Sequence, residues 1–359
     1  MTCRSAFSAL GYARAGQSSE LIASLALLVV LLGCDSPTSP NQPTPAPALE
    51  SVPYSLLGSG TVAFERIGPD GDYSAVYIID ATASRSHGFD IQLTFGPALS
   101  PDGEQLAHTT YTDDQTFYDA YVARIDGTNA QQVTAFALQE GPPSWTPDGT
   151  RIVVVGANQL MFNVYSQSVS NPADLAQLTA FQVGAGGSPD CPFLFGGERI
   201  AVSTQGSLAF ACGSEEIDVL SSTGALLASY VPSHADGGHW HGVFSPTWSP
   251  DGTQIAFIET TQVSATDDAV IGVAVKLMNA DGSHVTTLAT GAGSNAPADQ
   301  WAGHNNVSLC WMPDGSRLVF GIAESASEAH LWVVRADGTG LAQLTFAPGV
   351  FDRSVSCAR

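Results

Sequence analysis

The sequence is short of charge, and of positive charge above all. Only 13% of its 359 residues are charged, 12 basic against 34 acidic, for a net of −22. Lys276 is the one lysine. A nucleic-acid binder needs a basic footprint to displace counterions, so this balance excludes nucleic acid as a partner. Catalytic signatures are missing too: there is no Gly-x-Ser-x-Gly elbow, no His-Glu-x-x-His and no phosphate loop. GAGSNA at Gly291 imitates a dinucleotide fingerprint, but no βαβ pattern surrounds it. Nor is there a run long enough to span a bilayer, since the apolar stretch from Leu21 to Leu32 falls well short. Apolar residues in general are plentiful, at 44%, which rules out global disorder.

That short apolar stretch follows Arg4 and Arg14 and ends in Leu31-Leu32-Gly33-Cys34. The four residues resemble the lipobox of bacterial lipoproteins. The resemblance implies a signal peptide over 1–33, cleavage before Cys34 and lipid on the Cys34 thiol, so that the membrane is a partner through that lipid. Asp35 directly after it resembles an inner-membrane retention signal. Residues 34–54 have the Pro/Ser/Thr/Asn composition of a tether. The expected location is outside the cytoplasm, on the cell membrane or outer membrane, facing the periplasm or the cell surface. Export also accounts for the cysteines. Cys191, Cys212, Cys310 and Cys357 remain after processing, an even number in an oxidising compartment, and their spacings do not resemble a zinc site.

One phrase recurs along the rest of the chain: LSPDGEQLAH from Leu99, WTPDGTRIVV from Trp145, WSPDGTQIAF from Trp248 and WMPDGSRLVF from Trp311. Proline presets φ for the turn, Asp bonds back to the local backbone, and Gly supplies the positive φ that closes it. The residues that follow read as a strand. A second phrase, RIDGTNAQQVT from Arg124, NADGSHVTTLAT from Asn279 and RADGTGLAQLT from Arg335, is another hairpin ending in Leu/Val-Thr. Units end near Thr94, Thr134, Thr179, Tyr230, Thr290 and Thr345. Their spacing of roughly 40 to 60 residues is the period of four-stranded propeller blades. In the fourth unit FGGERIAVST from Phe195 stands where PDGTRIVVV is expected, and SSTGALLAS replaces the second hairpin.

These repeats resemble those of the TolB-type β-propellers over residues 55–359. The resemblance implies an all-β, six-bladed propeller. TolB-type proteins carry an α/β domain ahead of the propeller, where this chain has its tether. The first unit starts at its second strand, TVAFER from Thr61, and the chain ends in a spare first strand, VFDRSVSCAR. The C-terminal strand should therefore complete the first blade and remove an open edge. Cys310 then lies beside Cys357, which predicts a Cys310–Cys357 disulfide, with Cys191–Cys212 as the second pair.

Strand direction places all the tight PDG and DG turns on one face and nearly all the long connections on the other, where binding is expected. Two connections bring His234, His239, Trp240, His241, Trp301 and His304 to one side of that face. His239, His241 and His304 could hold a divalent metal, with Asp299 or Glu140 as a fourth ligand. The tryptophans could stack on a sugar or a peptide aromatic. The plain alternative is that the histidines bond loop backbone and the tryptophans cover the channel mouth. Asp113, Asp114 and Asp119, with Asp267 and Asp268, could collect calcium or simply be solvated. Arg66 is one of the few bases near this face. The expectation is a monomeric binding propeller for a cell-envelope protein, peptide or glycan, without an obligatory cofactor. The rival is a metal-dependent lyase of acidic oligosaccharides, a class found among TolB-like propellers.

Overall fold

The computed structural model describes residues 43–359 apart from 72, 91–94, 112–117, 135–138, 159–160, 181–198, 214, 234–238, 265–266, 293–307 and 326. The signal peptide and Cys34 lie outside the described residues. The architecture is all-β, with only two short 3-10 turns among the described residues, Tyr54–Leu56 and Pro69–Gly71. Four sheets of four or five strands stand separately, and a nine-stranded sheet comprises two further four-stranded blades and an extra N-terminal strand. Those two blades are joined by a parallel bridge between Ala329 and Phe351.

The innermost strands run Phe351–Ala358, Phe95–Leu99, Ser144–Trp145, Ala201–Val202, Trp240–Trp248 and Ser308–Trp311, for blades one to six. Each neighbours the next, and the last neighbours the first. One buried apolar cluster fills each of the six seams between blades. In the third blade Ile152 and Val154 face the second blade, while Val153 and Val155 face the fourth. A strand buried on both faces has no polar side to show, which is why RIVVV reads as a continuous run rather than an alternation.

The repeated phrases do local work. Gly103 adopts φ +74°, its N–H bonds Ser100 at 2.8 Å, and Asp102 accepts the Ser100 hydroxyl and the Glu104 amide. The same arrangement recurs around Asp148 and Asp251. These bonds lower the Asp102, Asp148 and Asp251 carboxyls below the usual range, so part of the chain's acidity is turn chemistry. The Leu/Val-Thr ending has a role too. Where the outermost strand stops after two or three residues, Thr134, Thr179 and Thr345 accept the otherwise unpaired N–H of Ala120, Val164 and Leu331.

Closure follows the expectation. Phe351–Ala358 pairs antiparallel with Thr61–Ile67, Thr61 opposite Ala358, and Cys310 is disulfide-bonded to Cys357. Cys212 is disulfide-bonded as well, while its expected partner Cys191 lies outside the described residues. Two expectations change. In the fourth blade the first turn is Ser203-Thr204-Gln205-Gly206, with Gly206 N–H bonding Ser203 O at 2.9 Å. RIAV therefore belongs to the innermost strand and its lead-in, one strand earlier than the alignment with PDGTRIVVV puts it. Residues from Thr44 to Tyr54, which composition assigns to the tether, pack on the first blade. Thr44 pairs with Asp90, Tyr77 donates its hydroxyl to Pro47 O, and Val52 is buried.

Glu50 fastens this segment. Its carboxylate takes Arg66 Nη1 at 2.6 Å and the amides of Phe346 and Ala347. Arg66 also reaches Asp352 with two bonds, at 2.6 and 2.8 Å, and stacks on Phe64 and Tyr77. Arg66 is therefore spent inside the fold and does not present a cation to a polyanionic substrate.

Candidate functional site

Of the expected histidine group, His239, Trp240 and His241 are described, at the entry to the innermost strand of the fifth blade. His234, Trp301, His304 and Asp299 lie outside the described residues, as do Asp113 and Asp114. His239 Nδ1 contacts Val263 O at 3.1 Å. His241 is buried, and its Nδ1 lies 3.3 Å from Glu259 Oε1. Glu259 is a hub: it accepts Lys276 Nζ at 2.6 Å and the Tyr230 hydroxyl at 3.3 Å. Burial, with Glu259 alongside, pushes the Tyr230 phenol upward. No sequence motif marks Tyr230, Glu259 or Lys276. The one available signal is Lys276 itself, the chain's only lysine, set in the apolar run from Ala269 to Met278.

Asp119 is buried and accepts Gln132 Nε2 at 2.7 Å. Asp267 and Asp268 begin the third strand of the fifth blade, and Glu140 ends a short strand paired to Gly156. Among the described residues the one tight group of three possible metal ligands is Cys212, Glu216 and Asp218. Cys212 is in a disulfide, so it offers no thiolate. Asp218 is 1% exposed, and burial, reinforced by Glu216 and opposed by Ser229, pushes its carboxyl up to about 6.

The consequence for stability has a definite sign. A carboxyl raised on folding costs nothing below its ordinary pKa and is fully penalised above its folded value. Asp218→Asn should therefore gain on wild type by roughly 2–3 kcal/mol as pH rises from about 4 to about 7. Urea denaturation at both pH values measures it, and a pH-independent difference would remove the buried-acid account.

The central channel is the other feature. A cavity of about 780 Å³ opens among the first turns of the blades, beside Pro101, Asp148, Thr204, Pro250 and Pro313. That is the tight-turn face, opposite the long connections on which binding is expected. Arg199, from the lead-in to the fourth blade's innermost strand, enters this cavity. Its Nη2 donates to Pro97 O of the second blade at 2.9 Å and its Nη1 to Val355 O of the first at 3.3 Å. Blade four faces blade one across a ring of six, so the side chain crosses the channel. Backbone bulges supply its acceptors: pairing shifts register between Phe95 and Ala98 and beside Ser354, whose φ is +57°.

No family profile matches the chain, and no curated protein matches it. Solved structures do resemble it. TolB from Acinetobacter baumannii aligns with a TM-score of 0.59 at 16% identity, over 83% of this chain and 66% of that one. Hydrazine synthase from Kuenenia stuttgartiensis gives 0.55 at 11% identity, over 85% and 47%. A chain of the nidogen/laminin complex gives 0.53 at 11% identity, over 84% and 99%. The chain thus spans just under two thirds of the TolB chain and about half of the hydrazine synthase chain. At these identities the likeness establishes the propeller fold and nothing finer.

Proposed function

We propose that this chain is an exported, lipid-anchored binding propeller that holds a cell-envelope protein, peptide or glycan. The observation that carries the reading is the disulfide-locked ring around an open central cavity. Structural disulfides belong to oxidising compartments, and a cavity of this volume falls within the range of ligand sites. The lipobox-like Leu31-Leu32-Gly33-Cys34 supplies the anchor. The loops bearing His234, His239, Trp240, His241, Trp301 and His304 are the second surface through which a partner would be held.

The test is metabolic labelling with a radioactive fatty acid in a bacterial host, with fractionation of membranes. Label should enter the protein at the mass expected after loss of residues 1–33. Cys34→Ser should abolish both label and processing. An unlabelled, fully processed wild type would end the lipid-anchor reading.

One observation favours a metal-dependent reading. Contacts at Nδ1 of both His239 and His241 orient the two rings in the way that outer contacts orient metal-binding histidines. Elemental analysis of the purified ectodomain decides between the two. The binding reading expects no stoichiometric zinc, manganese or iron that disappears in His239→Ala/His241→Ala. Metal lost in that variant would replace it with the lyase-like reading.

A further inference from the structure

Arg199 is the point of departure. Its guanidinium sits in the central cavity with two backbone carbonyls as hydrogen-bond partners, and no carboxylate lies within ion-pair reach among the described residues. Carbonyl dipoles solvate a cation, but they leave its charge uncompensated. Five other arginines of the propeller, Arg66, Arg85, Arg151, Arg317 and Arg353, have carboxylate partners, and Arg124 and Arg335, which like Arg199 have none among the described residues, stand at the outer hairpin turns rather than in the cavity. In a chain of net charge −22, an arginine left without an acid at the centre of the ring is conspicuous.

The surrounding wall also carries hydrogen-bond donors. Ser308 and Ser356 line the cavity, and each hydroxyl oxygen already accepts a backbone amide, from Val355 and Leu99 respectively. Each still has its O–H to donate. Trp248 and Trp311 line the cavity too, and their buried indole N–H groups have no acceptor among the described residues. Acids are confined to the rim. Asp102 and Asp148 are each bonded within their own turns. A cationic, donor-bearing interior behind an acidic rim selects for a single negative group on a stem that is neutral or basic. It disfavours a polyanion, which the rim would repel.

We propose that the central cavity is a carboxylate-binding site, entered from the tight-turn face, in which Arg199 anchors the carboxylate at the tip of a slender ligand. Burial lowers the Arg199 guanidinium only to about 10, so it stays charged at neutral pH and can make the charge-assisted bonds. The site lies on the face opposite the histidine loops, and it depends on neither the lipid anchor nor export. A free organic acid and a peptide terminus present the same group, and the experiment separates them.

The probes are acetate, succinate, triglycine and triglycinamide, titrated into the ectodomain starting at Asn41. The readouts are tryptophan fluorescence and the NMR signal of the Arg199 Nε–H, assigned by its absence in Arg199→Lys. A carboxylate probe should shift that signal, and triglycinamide should not. Arg199→Gln should weaken binding at least about tenfold, the effect of losing a hydrogen bond to a charged group. Equal response to acetate, succinate and triglycine identifies a free-acid site, and response to triglycine alone identifies a peptide terminus. If no carboxylate moves the Arg199 signal, or if folded Arg199→Gln binds as wild type does, the proposal is wrong. Should Arg199→Gln fail to fold, the wild-type NMR titration alone decides.

Discussion

Replacing Arg66 by alanine is expected to destabilise the ring by roughly 3–5 kcal/mol, the cost of leaving a buried charge unpaired. Asp352 is wholly buried and would lose both of its bonds to the guanidinium, while Glu50 would lose its only cationic partner among the described residues. The pH dependence provides a sharper test. Burial raises the Glu50 carboxyl, but Arg66 and the Phe346 amide outweigh burial and hold it at about 2, down from 4.5. A carboxyl lowered on folding stabilises fully above its ordinary pKa and loses that contribution as pH falls toward the folded value. In the wild type this share therefore fades between about pH 4.5 and about pH 2. Burial pushes Asp352 the other way, upward, and without Arg66 it has every reason to take a proton. The deficit of Arg66→Ala should thus be largest near neutrality and shrink in acid. Urea denaturation across that range checks it; a deficit that grows on acidification contradicts the pairing.

Cys310→Ser/Cys357→Ser is expected to lower stability by about 2–4 kcal/mol. The bridge spans a separation of 47 residues, and most of its effect lies in restricting the unfolded chain. The loss should have a location as well as a size. Phe351–Ala358 is held to Thr61–Ile67 along one edge, and its link to the sixth blade includes the bridge between Ala329 and Phe351. Hydrogen exchange should accelerate first in those two strands and least in blades three and four. Uniform acceleration, or none, would mean that the disulfide does not guard the closure.

What the sequence exposes is local. Ser100–Gly103 and its copies are turns because proline, aspartate and glycine act within a few residues, so their spacing alone marks the blades. Closure is readable for a related reason: a missing first strand at Thr61 and a spare one at Phe351 can satisfy only each other. What stays hidden depends on distant partners. Arg199 meets Pro97 and Val355 at separations of 102 and 156 residues, through carbonyls that no side-chain motif announces. The Tyr230, Glu259, Lys276 and His241 group is assembled from the outer strand of one blade and three strands of the next. The fourth blade misleads because Ser203-Thr204-Gln205-Gly206 keeps the glycine but replaces the Pro-Asp pair, and RIAV imitates the strand after the turn it precedes. Glu50 escapes notice because it stands in a proline-rich stretch whose composition says tether.

The docked N-terminal segment has a consequence for force. Tension arriving along the chain from the Cys34 side meets, in order, a two-residue pairing at Thr44–Pro45, then the Glu50 carboxylate, then the full length of Thr61–Ile67. The first yields like a zipper, one pair at a time. The last is braced on both edges, by Ser74–Asp80 and by Phe351–Ala358, and must shear as a whole. Glu50 stands between them as a fuse: while it grips Arg66, a pull passes through that ion pair into the side of the first blade and bypasses the chain between Glu50 and Thr61.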